Sequence, residues 1–279
     1  MQNTIISKGR VAVITGAAMG IGAAAARRFA AAGMRLALLD RDEAALRALA
    51  ADLDTETRLV VGDVILPDDL QRLHDTAYGA FGETALLLNN AGISRGAAPW
   101  QDMAGWRRQM EVNFFAIVQA QILFVPSMLK QSQPSAVVNL GSKEGITTPP
   151  GNAAYSVAKA GVKVLTEQLA HELRQLPGHQ VSAHLFVPGY TWTPMNGRQP
   201  GQTDADKKPS MWTAAQLLDY FVPRFENGDF YILCPDNDVD AHLDARRIQW
   251  SADDMMQNRP ALSRWHPDWK DKFAQFIKE

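Results

Sequence analysis

VAVITGAAMGIGAAAARRFAAAGMRLALLD, residues 11–40, decides the fold. It opens on an apolar, β-branched run, Val11–Thr15, too short for a helix and closed by glycine, so it reads as a strand. A turn with glycines at 16, 20 and 22 follows, then an Ala-rich helical pattern that stops near Gly33. Leu36–Asp40 is a second apolar run. Strand, glycine turn, helix and strand in that order make a βαβ unit, which belongs to a parallel sheet.

The alternation continues on both sides of that unit. Strand candidates recur at RLVVGD (Arg58–Asp63), ALLLNNAG (Ala85–Gly92), AVVNLGS (Ala136–Ser142), VSAHLFVPG (Val181–Gly189) and DFYILCP (Asp229–Pro235), with helical patterns between them. Near-continuous apolar strands separated by helices mean a sheet covered on both faces. The expected fold is α/β: a doubly wound, Rossmann-type parallel sheet of about seven strands with helices on both faces. Residues 1–235 are expected to form a single catalytic domain. It includes a Gly-, Pro- and Asp-rich substrate loop, 194–211, without hydrophobic periodicity, read as mobile and closing over a ligand. Residues 236–279, with Trp250, Trp265 and Trp269, form an extension expected to pack on the body or on a second subunit.

Composition narrows the function. The chain has 279 residues, 46% hydrophobic and 21% charged, and a net charge of −2. Its Lys and Arg are scattered, so no basic face for nucleic acid is expected. Cys234 is alone and sits in a strand, which fits a small buried hydrophobe. The first ten residues lack the apolar run of a signal peptide, and no ~20-residue apolar stretch suggests a membrane partner. A cytoplasmic protein is the expectation. His74, His171, His179, His184, His242 and His266 show no metal-ligand spacing, so no metal is expected. Gly92–Gly96 matches Gly-x-Ser-x-Gly, but Pro99 follows where a nucleophile elbow needs an immediate helix.

The glycine turn lies where a dinucleotide pyrophosphate meets a helix N-terminus, whose free N–H groups suit an anion. Gly16 permits the bend, Gly20 a close backbone approach, and Gly22 tight packing of helix on strand. Asp40 ends the second strand eighteen residues past Gly22. A carboxylate there accepts hydrogen bonds from adenosine ribose hydroxyls and repels a 2′-phosphate. NAD is therefore the expected cofactor; Arg41 beside Asp40 partly offsets the repulsion and leaves NADP open.

Tyr155 and Lys159 are four apart in a helical pattern and share one face. A free phenol has a pKa of ~10, and the nearby ammonium together with the positive nicotinamide of an oxidised cofactor is expected to lower it toward the working pH. Ser142 ends the preceding strand, where its hydroxyl can donate to a substrate oxygen as charge develops there.

Taken in order, TGAAMGIG, GDV (Gly62–Val64), NNAG (Asn89–Gly92), Asn113, NLGS, YSVAK (Tyr155–Lys159) and PGYTWT (Pro188–Thr193) resemble the short-chain dehydrogenase/reductase family, of the compact, non-extended type. The resemblance covers residues 8–194. It departs at Gly141, where the family often has a second serine. It implies that Gly16, Ala18, Met19, Gly20, Ile21, Gly22, Asp40 and Arg41 contact the dinucleotide. Asp63 and Val64 would meet the adenine, Asn90, Ala91 and Gly92 would pass under its ribose, and Pro188, Gly189, Thr191 and Thr193 would line the nicotinamide. Lys159 would hold the nicotinamide ribose beside Tyr155, and Asn113 would hold a water linking Lys159 to solvent.

The implied activity is hydride transfer between NAD and a small secondary alcohol or ketone. Asn113, Ser142, Tyr155 and Lys159 form the catalytic set. Thr148, Pro149, Tyr190, Trp192 and Met195 are expected to wall the substrate, which their character makes hydrophobic or aromatic. Proteins of this kind assemble as homodimers or homotetramers through the Tyr155 helix and its neighbours. The competing function is a catalytically silent nucleotide sensor, which tends to lose the tyrosine or lysine kept here. An extended-fold sugar-nucleotide epimerase would show a different glycine spacing and a larger C-terminal domain.

Overall fold

In the computed structural model, which describes residues 5–96 and 98–278, the apolar runs become strands. The first four residues of the amino-terminal segment read above lie outside the described residues. The strands are β1 (Val11–Thr15), β2 (Arg35–Asp40), β3 (Thr57–Val61), β4 (Leu86–Asn89), β5 (Ser135–Leu140), β6 (Val181–Val187), the two-residue β7 (Thr191–Trp192) and β8 (Trp212–Thr213), and β9 (Tyr231–Leu233). Seven of them form one parallel sheet in the order β3-β2-β1-β4-β5-β6-β9, while β7 pairs with β8 apart from it.

The helices are α1 (Gly20–Ala31), α2 (Glu43–Ala51), α3 (Pro67–Phe81), α4 (Met103–Met110), α5 (Ala116–Met128), α6 (Glu144–Thr147), α7 (Ala153–Gln175), α8 (Ala214–Glu226), α9 (Ala241–Met256) and α10 (Lys270–Phe276). Each sheet face has its own core. Ile14, Leu36, Leu38 and Phe186 point to the layer that holds Phe29 of α1 and Phe221 of α8. Val13, Leu39 and Val137 point to the opposite layer with Leu70 of α3 and Phe124 of α5. The period-two alternation along β1 thus feeds two cores, as a fully buried strand requires.

Met103–Met128 is, by length and composition, long and apolar enough to cross a membrane, with an 18-residue window of mean hydropathy 1.3, contrary to the sequence reading. Its Ile117, Ala120, Phe124 and Met128 are instead buried within the layered fold. Between α4 and α5 the chain winds as a π-helix over Glu111–Phe115.

Loop 194–211 is fastened by its own polar groups. A capping box joins Thr203 and Asp206, and Arg198 donates to the Gln202 carbonyl at 3.0 Å. Past β9, Trp250 of α9 is buried among Trp269, Phe273 and Phe276. Its Nε1 donates to Ser263 Oγ at 2.7 Å. This extension reaches the body through Lys143, whose Nζ lies 2.6 Å from Asp244 Oδ2 of α9.

Register sets the position of the site. Thr15 lies opposite Leu39 on one side and Asn89 on the other, so β1, β2 and β4 end level. The strand order reverses at β1 and β4, and the crevice beyond the carboxyl ends there is where such sheets take ligands.

Candidate active site

A cavity of about 770 Å³ opens along that edge. Gly16, Met19, Gly20 and Ile21 of the turn line one end, below the N-terminus of α1. Its unpaired N–H groups and dipole favour an anion. Gly16 adopts φ +64, and a Cβ there would stand 2.7 Å from the Ala91 Cα. A Cβ on Gly22 would stand 2.1 Å from the Gly16 carbonyl oxygen. Only glycine fits either place.

Ala18 and Gly22, expected to touch the cofactor, are not among the lining residues. Both support the turn from behind. The Ala18 N–H donates to Asp40 Oδ2 at 2.9 Å, and the Asp42 N–H donates to Oδ1 at 3.0 Å. Asp40 therefore ties the glycine turn to the end of β2 while still lining the cavity beside Arg41.

Asp63, Val64, Asn90, Ala91 and Gly92 line the same end. Burial works to raise the Asp63 carboxyl, but its bond from Arg108 at 2.8 Å and the N–H of Ile65 leave it below the usual carboxylate range. Arg108 is a cavity residue that sequence reasoning missed. Asn90 Nδ2 donates to the carbonyls of Thr15 and Gly16, at 3.0 and 2.8 Å, and so pins the bend.

Asn113 sits in the π segment, fully buried. Its Oδ1 accepts from the Ile93 N–H and its Nδ2 donates to the Ile93 carbonyl, each at 2.9 Å. Both ends of the amide are occupied by the chain just after NNAG. The side chain thus braces that strand end, a contact not foreseen in assigning it a water.

Ser142, Tyr155 and Lys159 line the other end of the cavity. α7 carries Tyr155 and Lys159 one turn apart, 9% and 2% exposed. The Lys159 Nζ lies 5.8 Å from the centre of the Tyr155 ring and donates to the Leu140 carbonyl at 2.6 Å. The neighbouring ammonium alone does not bring the phenol down. Burial pushes Tyr155 up to about 12; its hydrogen bond with Ser142 opposes this and the Glu144 charge adds to it. Burial also brings the Lys159 ammonium down to about 8. Desolvation penalises both charged forms and is the largest cause of each shift.

A close approach of backbones places Ser142. A Cβ on Gly145 of α6 would stand 2.4 Å from the Lys159 carbonyl carbon, so α6 rests directly on α7. At Gly141, where the family often has a second serine, a Cβ would press on the side chains of Leu185 and Val187, at 3.1 and 3.2 Å.

The substrate wall differs from the one expected. Tyr190 and Met195 line the cavity, with Pro188, Gly189, Thr191 and Thr193; Thr148, Pro149 and Trp192 do not. Thr148 takes a left-handed conformation, φ 43, that turns the chain at the end of α6. Trp192 is 3% exposed, with its Nε1 donating to the Thr203 carbonyl at 3.1 Å. Ser94, Arg95, Glu144, Asn196 and Asp236 line it instead, so the wall is more polar than foreseen. Among the described residues no group of His, Cys, Asp and Glu is arranged to hold a metal. Burial pushes the Cys234 thiol up to about 12, which leaves it unreactive.

The cavity brings together N–H groups at the turn, a carboxylate at Asp40, and a hydroxyl, phenol and ammonium at the far end. Comparison with known proteins shows the family. A family model described as short chain dehydrogenase matches residues 10–204. A 1-deoxy-11-beta-hydroxypentalenate dehydrogenase of Streptomyces exfoliatus is 34% identical over 192 residues, 67% of this chain and 69% of that protein. A short chain dehydrogenase/reductase from Burkholderia phymatum, solved in complex with NAD, superposes with a TM-score of 0.78 at 28% identity, covering 90% of this chain and 96% of the other. A metagenomic short-chain oxidoreductase in complex with NADP gives 0.65 at 28% identity, covering 82% and 98%.

Proposed function

Since the chain belongs to the short-chain dehydrogenase/reductase family and is an oxidoreductase that takes a nicotinamide cofactor, we propose that it interconverts a secondary alcohol and its ketone with NAD as the preferred partner. One observation carries this reading: the Gly16–Gly20 turn with Asp40 and the Ser142–Tyr155–Lys159 group line a single cavity.

Gly16, Met19, Gly20 and Ile21 would hold the pyrophosphate, with Ala18 and Gly22 shaping the turn behind them. Asp40 would accept from the adenosine ribose, with Arg41 at its side; this favours NAD over NADP, because a 2′-phosphate would face a carboxylate. Asp63 and Val64 would flank the adenine, Asn90, Ala91 and Gly92 its ribose, and Pro188, Gly189, Thr191 and Thr193 the nicotinamide. The nicotinamide, when bound, supplies or accepts the hydride.

The chain's own residues handle the proton. In ketone reduction Tyr155 donates its phenolic proton to the substrate oxygen, and in alcohol oxidation the phenolate takes it back. Ser142 donates a hydrogen bond to that oxygen while charge develops on it. Lys159, held on the Leu140 carbonyl, supplies the positive charge that favours the phenolate once the cavity is filled. Asn113 positions the floor of the site by bracing Ile93.

We also propose self-association as a homodimer or homotetramer through the outer faces of the π segment, α5 and α7. Phe115, Ile122, Val157 and Val164 there are 49%, 61%, 50% and 52% exposed, more than large apolar side chains on packed helices normally keep in water.

The test is nicotinamide absorbance across alcohols and ketones with NAD and with NADP. Tyr155→Phe is expected to lower kcat by about 100-fold or more while NAD affinity stays within a few-fold. Turnover unchanged in that variant would overturn the mechanism, and a higher kcat/KM with NADP would overturn the cofactor preference.

A further inference from the structure

The substrate end of the cavity holds a carboxylate that the proton transfer above does not use. Glu144 begins α6 two residues after Ser142, and its backbone N–H donates to Ser142 Oγ at 3.1 Å. The side chain is half-buried and lines the cavity together with Ser142 and Tyr155. It is close enough for its charge to oppose ionisation of the Tyr155 phenol.

Its partners are few. Asn152 Nδ2 donates to Oε2 at 3.1 Å and reaches Ser94 Oγ at 2.9 Å as well. Among the described residues no cation pairs with Glu144, and Oε1 receives no protein donor. The adjacent Lys143 is engaged elsewhere, by Asp244. Burial accordingly pushes the Glu144 carboxyl above its ordinary range, with only the Asn152 bond working the other way. A carboxylate has room for about four hydrogen bonds, and one left short of donors in a ligand cavity awaits them from the ligand.

Given the proposed alcohol/ketone chemistry, on which this step rests, we infer that Glu144 is a specificity-determining residue. Its free oxygen receives a hydrogen-bond donor, hydroxyl or ammonium, carried by the substrate next to the reacting carbon, and it rejects substrates that bring a carboxylate there. The shared lining supplies the geometry: the Glu144 carboxylate lies near enough to Tyr155 for its charge to act on the phenol, so a substrate oxygen seated between Ser142 and Tyr155 brings the substituent of its neighbouring carbon within reach of it. A site built to pair with a donor discriminates strongly against analogues lacking it, because its own polar group is then left unpaired. The expected substrates are vicinal diols and α-hydroxy ketones, or their amino counterparts, rather than the apolar compounds that Thr148, Pro149 and Trp192 suggested.

The experiment measures kcat/KM with NAD for 2-butanol, 2,3-butanediol, 1-amino-2-propanol and lactate, in wild type, Glu144→Gln and Glu144→Leu. Wild type is expected to favour the diol and the amino alcohol over 2-butanol by about 10- to 100-fold, with lactate poorest. Glu144→Leu should bring the four within a few-fold of one another. Glu144→Gln should keep part of the diol preference and lose that for the amino alcohol, which separates hydroxyl from ammonium recognition. A diol preference that survives Glu144→Leu, or 2-butanol as the best wild-type substrate, overturns the inference. If wild type oxidises none of them, the alcohol reading fails by its own test. Binding of the same four compounds to the protein–NADH complex, followed by fluorescence in wild type and Glu144→Leu, then decides Glu144 alone: equal affinities in the two proteins refute it.

Discussion

Lys159 and Tyr155 stand one helical turn apart, and burial moves them in opposite directions, the ammonium down to about 8 and the phenol up to about 12. Activity and stability should both register this. Lys159 is the member of the pair whose charge changes in the working range, so the rate of ketone reduction should fall as pH rises through about 8. The unfolded chain holds the Lys159 proton up to the ordinary lysine value of 10.5, whereas the folded chain gives it up near 8. Between those values the unfolded state binds more protons, so this residue makes stability rise with pH. Below pH 8 the folded state carries the full cost of burying the charge. The expected gain across the window is on the order of 2–3 kcal/mol. Urea unfolding at pH 7.5 and 10 checks it: the wild-type gain should exceed that of Lys159→Met by about this amount, and parallel curves would refute it. The spacing of these two residues was legible in the sequence; the direction of the Tyr155 shift was not. It depends on how much water surrounds the phenol and on Lys159 bonding to Leu140, neither of which spacing encodes.

At the level of elements, α6 is four residues long yet holds Ser142 against α7. Gly145→Ala would put a methyl group 2.4 Å from the backbone of Lys159. No side chain can yield there, so α6 must lift. We expect a loss of about 1–3 kcal/mol in stability and a drop in kcat of at least ~10-fold, with NAD affinity little changed; thermal melting and steady-state kinetics check the two. An unchanged kcat would show that α6 does not position Ser142. The strands were readable as near-continuous apolar runs, as in Val11–Thr15, and the long helices by a repeating helical pattern, as in Ala153–Gln175. Short or irregular ones were not. α6 has too few residues to show a period, and the π turn at Glu111–Phe115 differs from its flanking helices by one residue per turn. The substrate wall failed for a related reason. Ser94, Glu144 and Asp236 line one cavity from three distant segments, and no local pattern records that meeting. The left-handed turn at Thr148 and the inward Trp192 are likewise tertiary outcomes.

For the molecule as a whole, the exposed apolar side chains of α5 and α7 predict association. Ile122→Lys puts a charge on a side chain that is 61% exposed in the single chain, so the fold should tolerate it. In an assembly it would bury that charge at several kcal/mol. Light scattering after gel filtration should show wild type at twice or four times the chain mass and the variant shifted toward one. A monomeric wild type would remove the proposal. A second long-range tie is internal: Lys143, next to Ser142, is held by Asp244 from the region beyond residue 204, where the family match ends. Lys143 thus ties the tail to the catalytic turn through two acids, Asp244 at 2.6 Å and Asp236 at 3.8 Å. Chimeras that exchange tails between relatives would therefore transplant more than a surface appendage: a donor tail lacking both acids would strand a lysine at the lip of the pocket, and tail and turn would have to diverge together.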